Sequence, residues 1–448
     1  MRERLRWVFM ALVCGVSAAW AQEPARVSEI SLHAPSGVWS AWLDNGARAH
    51  YAHRAGGRFA VTVTLAGGEL HETAQTRGLS AAAAAAWSDA RGARSKAERQ
   101  GVMVEARATG DAIVLTLTGS SGREAEAFDA LRAMLTEPRI DAGALASWRS
   151  AELIVHQERA GDSQAAFQRL VSETLHPERD PRTLPPGPER LRAIDEVETR
   201  AWLEARLADS PVELAVAGEV ARETAFDGIV ETVGRLAARG RIGRGTHDDL
   251  RRIERPRGPL EGKARAPSGT KDSLVMRGFF GADLESLDDV RALHLSAEAL
   301  SERLPAVLKE AGADEGGVRV GAAPGVEHPG FGLVWVAASC APGSEGRVLQ
   351  RIDREFDAFA RSGPAATELE AARARLLRLI ERQSADPAAW SARLAQMTYR
   401  GHTPDQVAGV AEGYSTITAE RVRDAFARHH TAEGAVRVVV RAEEEERE

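Results

Sequence analysis

Apolar and polar residues alternate from Phe59 through Val61 and Val63 to Leu65, the period of a half-buried strand. Gly67-Gly68 ends that run. After Gly78, Leu79 and Ser80, a continuous stretch of alanine from Ala81 to Ala86 leads into Trp87, and alanine is the best helix former, so a helix is predicted here. Upstream, apolar residues on either side of Asp44-Asn45-Gly46 predict a β-hairpin within residues 30–51, because Asn-Gly favours the tight turns that join antiparallel strands. Downstream, the pattern predicts strands over 101–108 and 112–119 that turn at Thr109-Gly110-Asp111. A helix over 123–135 and a second from 142 to about 159 follow, then a Pro-rich loop over 175–188 and a helix over 195–207. A strand over 212–217 and a helix over 223–236 close this half.

The same order then recurs. Gly101-Val102-Met103-Val104 matches Gly317-Val318-Arg319-Val320, and each is followed by a strand, a Gly-Ser pair and a helix. Residues 142–155 match 367–380, the stretch opening Ile194-Asp195 matches that opening Ile417-Thr418, and 212–218 match 436–441, all offset by about 220 residues. The reading is an α+β chain of two tandem duplicated domains, each an antiparallel sheet backed by helices. The expected spans are 22–236 and 272–441. Between them, 237–271 is rich in Gly, Pro and Arg and reads as a solvated linker. The acidic run 442–448 reads as a frayed tail.

Composition narrows the function classes. A chain of 448 residues at 44% hydrophobic can build a substantial core, and its net charge of -7 carries no basic signature of nucleic-acid binding. Arg2, Arg4 and Arg6, an apolar run over 7–16 and Ala19-Trp20-Ala21 are the parts of a secretory signal peptide over 1–21, so a secreted or periplasmic protein is expected. The apolar run is too short to span a bilayer, and no later one is longer. Of the two cysteines, Cys14 falls in that segment. Cys340 then has no disulfide partner and is expected as a buried, inert thiol.

The strand ending in Gly67-Gly68, the Gly78-Leu79-Ser80 opening of a helix, the Asn45-Gly46 hairpin and the duplication together resemble the pitrilysin/insulinase metallopeptidases, the inverzincins. The resemblance covers nearly all of the chain beyond the signal segment. In that family the helix carries His-x-x-Glu-His, with both imidazoles on one helix face holding zinc and the glutamate serving the metal-bound water. The resemblance lays those positions on Ala81, Ala84 and Ala85. The more distant zinc glutamate would fall at His156 or Gln157, with Glu158 one step away. From the second domain, the family's substrate-binding arginine falls on Lys309 and its tyrosine on Gly316 or Gly317. Methyl groups cannot ligate a metal or move a proton, so the resemblance implies no catalytic residue, no metal and no cofactor.

It also implies a partner, since two such chains usually close into one chamber. The expected partner is an active zinc-peptidase homologue, or a second copy of this chain, with extended peptides held by addition to a sheet edge. A stand-alone peptide-binding or envelope scaffold is the rival reading. An active zinc peptidase would need ligands from outside the expected helix. Two look-alikes are set aside: His71-Glu72 through Gln75 imitates the motif but lies in a loop, and His429-His430 sits at a predicted helix end, where cations suit the last turn.

Overall fold

The computed structural model describes residues 23–159 and 161–443, so the expected signal segment and nearly all of the acidic tail lie outside the described residues. The described residues form fourteen strands: β1 Val27–His33, β2 Val38–Leu43, β3 Arg48–His53, β4 Arg58–Ala66, β5 Trp87–Asp89, β6 Met103–Thr109, β7 Ala112–Ser120, β8 Pro138–Ile140, β9 Val212–Gly218, β10 Leu260–Arg265, β11 Ser273–Phe280, β12 Arg319–Ala323, β13 Leu333–Cys340 and β14 Ala435–Arg441. The first sheet runs β1-β2-β3-β9-β4-β7-β6 and the second β10-β14-β11-β13-β12. Among the described strands only the β3–β9 and β10–β14 pairs are parallel.

Strand for strand, β3-β9-β4-β7-β6 repeats as β10-β14-β11-β13-β12, including the one parallel pair. The duplication read in the sequence is thus the architecture of an α+β fold. Period-2 patterning explains the register: Val63 lies opposite both Leu214 and Leu115, all three in the first core. The added β1–β2 hairpin widens the first sheet, and at the β2–β3 turn Gly46 takes φ 88° while the Asn45 amide donates to the Val233 and Leu236 carbonyls.

Each half lends a helix to the other. Ser163–Leu175, from the first half, lays Phe167 against Met276, Phe280, Val436 and Val438 of the second sheet. Pro387–Leu394, from the second, lays Trp390 and Leu394 on Val38, Ala52, Ala215 and Ala217 of the first. Buried polar groups accompany the exchange. The Glu213 carboxylate accepts from Thr398 N (2.7 Å), Tyr399 N (3.0 Å) and His50 Nε2 (2.7 Å). Asp111 accepts from Arg251 Nη2 (2.6 Å) and from both Nη atoms of Arg400. Each carboxylate has enough donors to offset the cost of its burial.

One expectation needs correction. The 237–271 segment is not a solvated linker, because it contains β10, which pairs in parallel with β14. Its arginines anchor it: Arg239 donates to the Ser210 and Leu207 carbonyls, Arg241 pairs with Glu29, and Arg251 is buried on Asp111. The second sheet therefore begins upstream of residue 272. The alanine-rich helix lies where the sequence places it, Leu79–Ala86, and Trp87 then turns into β5 with its indole buried and donating to the Met134 carbonyl.

Candidate functional site around the alanine helix

The helix Leu79–Ala86 begins at Gly78, whose φ of 90° favours glycine; a Cβ there would press on Pro186 at 3.1 Å. Buried Glu72 organises the approach to it, accepting from Gly78 N (2.9 Å), Ser80 N (2.7 Å) and Arg77 Nη1 (2.8 Å). The look-alike glutamate is thus committed to the turn. Its neighbour His71 packs edge-on against His247, and burial pushes its pKa down to about 4.

Along the helix, Ala82, Ala83 and Ala86 are buried in the first core and Ala84 is 4% exposed, whereas Ala81 and Ala85 are half-buried. The i,i+4 pair that the resemblance assigns to the two histidines therefore shares the more open face. That helix packs against the helix Ala142–Glu158 and against β6, the edge strand of the first sheet. Near the end of Ala142–Glu158, His156, Gln157 and Glu158 are all exposed. Zinc does not fit this set: the three alanines offer no donor atom. Among the described residues no three His, Cys, Asp or Glu side chains converge as metal ligands would.

A cavity of about 530 Å³ opens beside this helix pair. It lies between Ala142–Glu158, Ser163–Leu175 and residues 184–191. Pro185, Pro186, Leu184, Leu191 and Ala165 supply its apolar wall, and Glu152, His156, Arg159, Arg169, Glu173 and Arg179 its charges. Sequence reasoning found only His156 of these. Of the three arginines, Arg169 reads as ordinary solvated helix surface and Arg159 and Arg179 fall at a helix end and in a loop, so no local signal marks them. An apolar wall with a few converging polar groups is what a pocket needs to hold a flexible ligand in one orientation.

Lys309 does not join this cavity. It ends the helix Leu287–Lys309 in an exposed ion pair with Glu315 (2.8 Å), which holds its ammonium pKa above the ordinary lysine value. Gly316 and Gly317 form the short turn next to it. His429 and His430, set aside above, bond to Asp289 (3.2 Å) and Asp357 (3.1 Å).

One constellation imitates a nucleophile, base and acid: Ser40 Oγ lies 2.8 Å from His50 Nδ1, and His50 Nε2 lies 2.7 Å from Glu213. All three are nearly or fully buried, at 4%, 0% and 0% exposure, so no substrate reaches Ser40. Burial holds His50 neutral despite the adjacent carboxylate. The trio serves the core. Cys340 is likewise buried, its thiol pushed up to about 12 by burial, which keeps it protonated and inert.

No family profile and no curated protein sequence matches the chain. Solved structures do. It superposes on a peptidase M16 inactive domain from Pseudomonas fluorescens with a TM-score of 0.76 at 16% identity, covering 92% of this chain and 100% of that one. It also superposes on the periplasmic protease PqqL from Escherichia coli, with a TM-score of 0.75 at 16% identity over 98% of this chain and 49% of that one. A third match is the ferredoxin protease FusC, solved in complex with Arabidopsis ferredoxin, with a TM-score of 0.76 at 13% identity over 94% and 47%. This chain thus spans about half the length of PqqL and FusC and the whole of the inactive domain. It has the fold of the M16 peptidases, the pitrilysin/insulinase group that its sequence resembles.

Proposed function

We propose that this chain is an exported, proteolytically inactive M16-type subunit that shapes a peptide-binding chamber for an active homologue. The observation that carries the reading is the face formed by Ala81 and Ala85. It is half-buried on a helix that packs against an edge strand and against the helix Ala142–Glu158, yet it presents methyl groups where the resemblance calls for metal ligands. A fold kept around a site without donor atoms suits binding better than hydrolysis. Among the described residues β6 pairs only with β7, which leaves its other edge for an extended peptide to add as a strand. The full-length neighbours PqqL and FusC are about twice as long, which supports a second two-domain body as partner.

The test is affinity capture of the tagged chain from its native exported fraction, followed by identification of its partners and assay on an unstructured peptide. An intact His-x-x-Glu-His homologue together with chelator-sensitive cleavage is the expected result. If the chain comes down alone, without zinc and inert, the subunit reading fails. The alternative is then a stand-alone peptide-binding scaffold, which the mixed-charge cavity also supports.

A further inference from the structure

A second cavity, of about 350 Å³, lies away from the alanine helix, between the first turn of Leu287–Lys309 and the helices Pro387–Leu394, Pro404–Ala408 and Val410–Ser415. Its apolar wall is made by Leu287, Val290, Ala392, Val407, Val410 and the Tyr414 ring. The Tyr414 hydroxyl is engaged by His294 Nδ1 at 2.7 Å. Every charged or titratable residue on the lining besides that phenol is basic: Arg291, Arg393, Arg400 and His402.

Those cations differ in how far they are satisfied. Arg400 is committed to Asp111. Arg291 has only a 3.5 Å contact to Asp288, and its guanidinium lies over Gly413, where a Cβ would approach its Cζ to 2.3 Å. Arg393 gives its Nε to the Ala389 carbonyl, while its Nη2 is buried without a hydrogen-bond partner among the described residues. His402 Nε2 is in the same condition. A buried guanidinium N–H without a partner is uncommon in folded proteins, and beside a second unpartnered ring nitrogen on a cavity with no lining carboxylate it points to a ligand that brings its own acceptor.

We infer that this cavity binds a small organic carboxylate with an apolar body, its carboxylate held by Arg393 with Arg291 and His402, and its apolar part lying on Val290, Val407 and Val410. A neutral alcohol of the same length would leave the arginines uncompensated, and an amine would meet them with like charge. The same chemistry is offered by a free fatty acid and by a C-terminal residue with an apolar side chain, so octanoate and N-acetyl-leucine serve as the two probes.

The experiment is titration calorimetry of the full chain with octanoate, N-acetyl-leucine, octan-1-ol and octylamine. It is repeated on Arg393→Gln and on Val410→Phe, which fills the cavity without touching the cations, each checked for an unchanged melting curve. Octanoate or N-acetyl-leucine should bind in preference to the alcohol and the amine, and the tighter of the two names the source. Loss of one charge-assisted hydrogen bond in Arg393→Gln should weaken binding about tenfold or more. Equal binding of octanoate and octan-1-ol would overturn the inference, as would no binding of either carboxylate or undiminished binding to both variants.

Discussion

The two halves share one strand order and differ most in the helix that follows the central strand. In the first half it is Leu79–Ala86, a short run of alanines with one open edge. In the second it is Leu287–Lys309, long and filled with Leu293, Leu295, Leu300, Leu304 and Leu308, all buried. Around it Phe279, Phe356 and Phe426 meet edge to face, with ring centroids 5.0–5.7 Å apart. One copy has turned its helix into core. The other has kept it thin, so that a second helix and an edge strand come close to its open face. Small side chains there leave room beside the helix, as the proposed binding role requires.

The largest effect should come from restoring donors to the thin helix. Ala81→His, Ala85→His and Gln157→Glu together should give a chain that retains stoichiometric zinc after dialysis where the parent chain is expected to retain none, read by elemental analysis. Ala84, nearly buried, is left alone. If no zinc is retained by a folded variant, the alignment of this helix with the family's zinc helix is wrong.

Next, Phe356→Ala in the filled half should cost about 3–5 kcal/mol, the usual toll of a large core cavity, measured by urea unfolding. In the thin half the sensitive direction is reversed. Ala83→Leu should destabilise by about 1–3 kcal/mol through overpacking, whereas a loosely packed first core would tolerate it.

Acid should then weaken the fold through buried histidines. His71 and His176 have their pKa values pushed down to about 4 by burial, below the ordinary histidine value of 6.5. The unfolded chain takes up protons below that value while the folded chain does not, so their contribution is full above pH 6.5 and is lost as pH falls toward 4. The drop in urea midpoint between pH 7.5 and pH 4.5 should be smaller in a His71→Gln, His176→Gln variant than in the parent chain. An identical drop would mean that neither ring is buried in solution. The smallest effect belongs to Lys309→Ala, since its ion pair with Glu315 is exposed and screened by solvent. A clear loss of peptide affinity in that variant would instead give Lys309 the substrate role that its position in the resemblance suggests.

Much of this was legible in the sequence because it is written in short periods. β4 alternates, Asn45-Gly46 turns a hairpin, and the copies match segment by segment. β10 was hidden for a physical reason: Leu260–Arg265 buries mainly its backbone, with Gly262 pressed so close to the helix Ser163–Leu175 that a Cβ would lie 2.2 Å from Thr174 Oγ1. Nothing in its polar side chains signals that packing. The open face of Ala81 and Ala85 was readable only through resemblance, since composition alone says no more than helix. Arg159, Arg169 and Arg179 of the adjacent cavity, and the Glu213 bond to His50 across 163 residues of chain, depend on tertiary proximity that no local pattern encodes.

The helix exchange also governs how the protein can be made. The face of the first sheet that carries Ala215 and Ala217 is covered by Trp390 and Leu394, and Thr62 meets Ser391 at 2.7 Å from 329 positions away. While the chain is being synthesised, that face has no lid until almost all of it has emerged. Contacts this distant close slowly, and an apolar sheet left bare in the meantime is prone to aggregation. A chain of this design is therefore expected to depend on a holding chaperone during its biogenesis, and the first half expressed alone should be recovered insoluble.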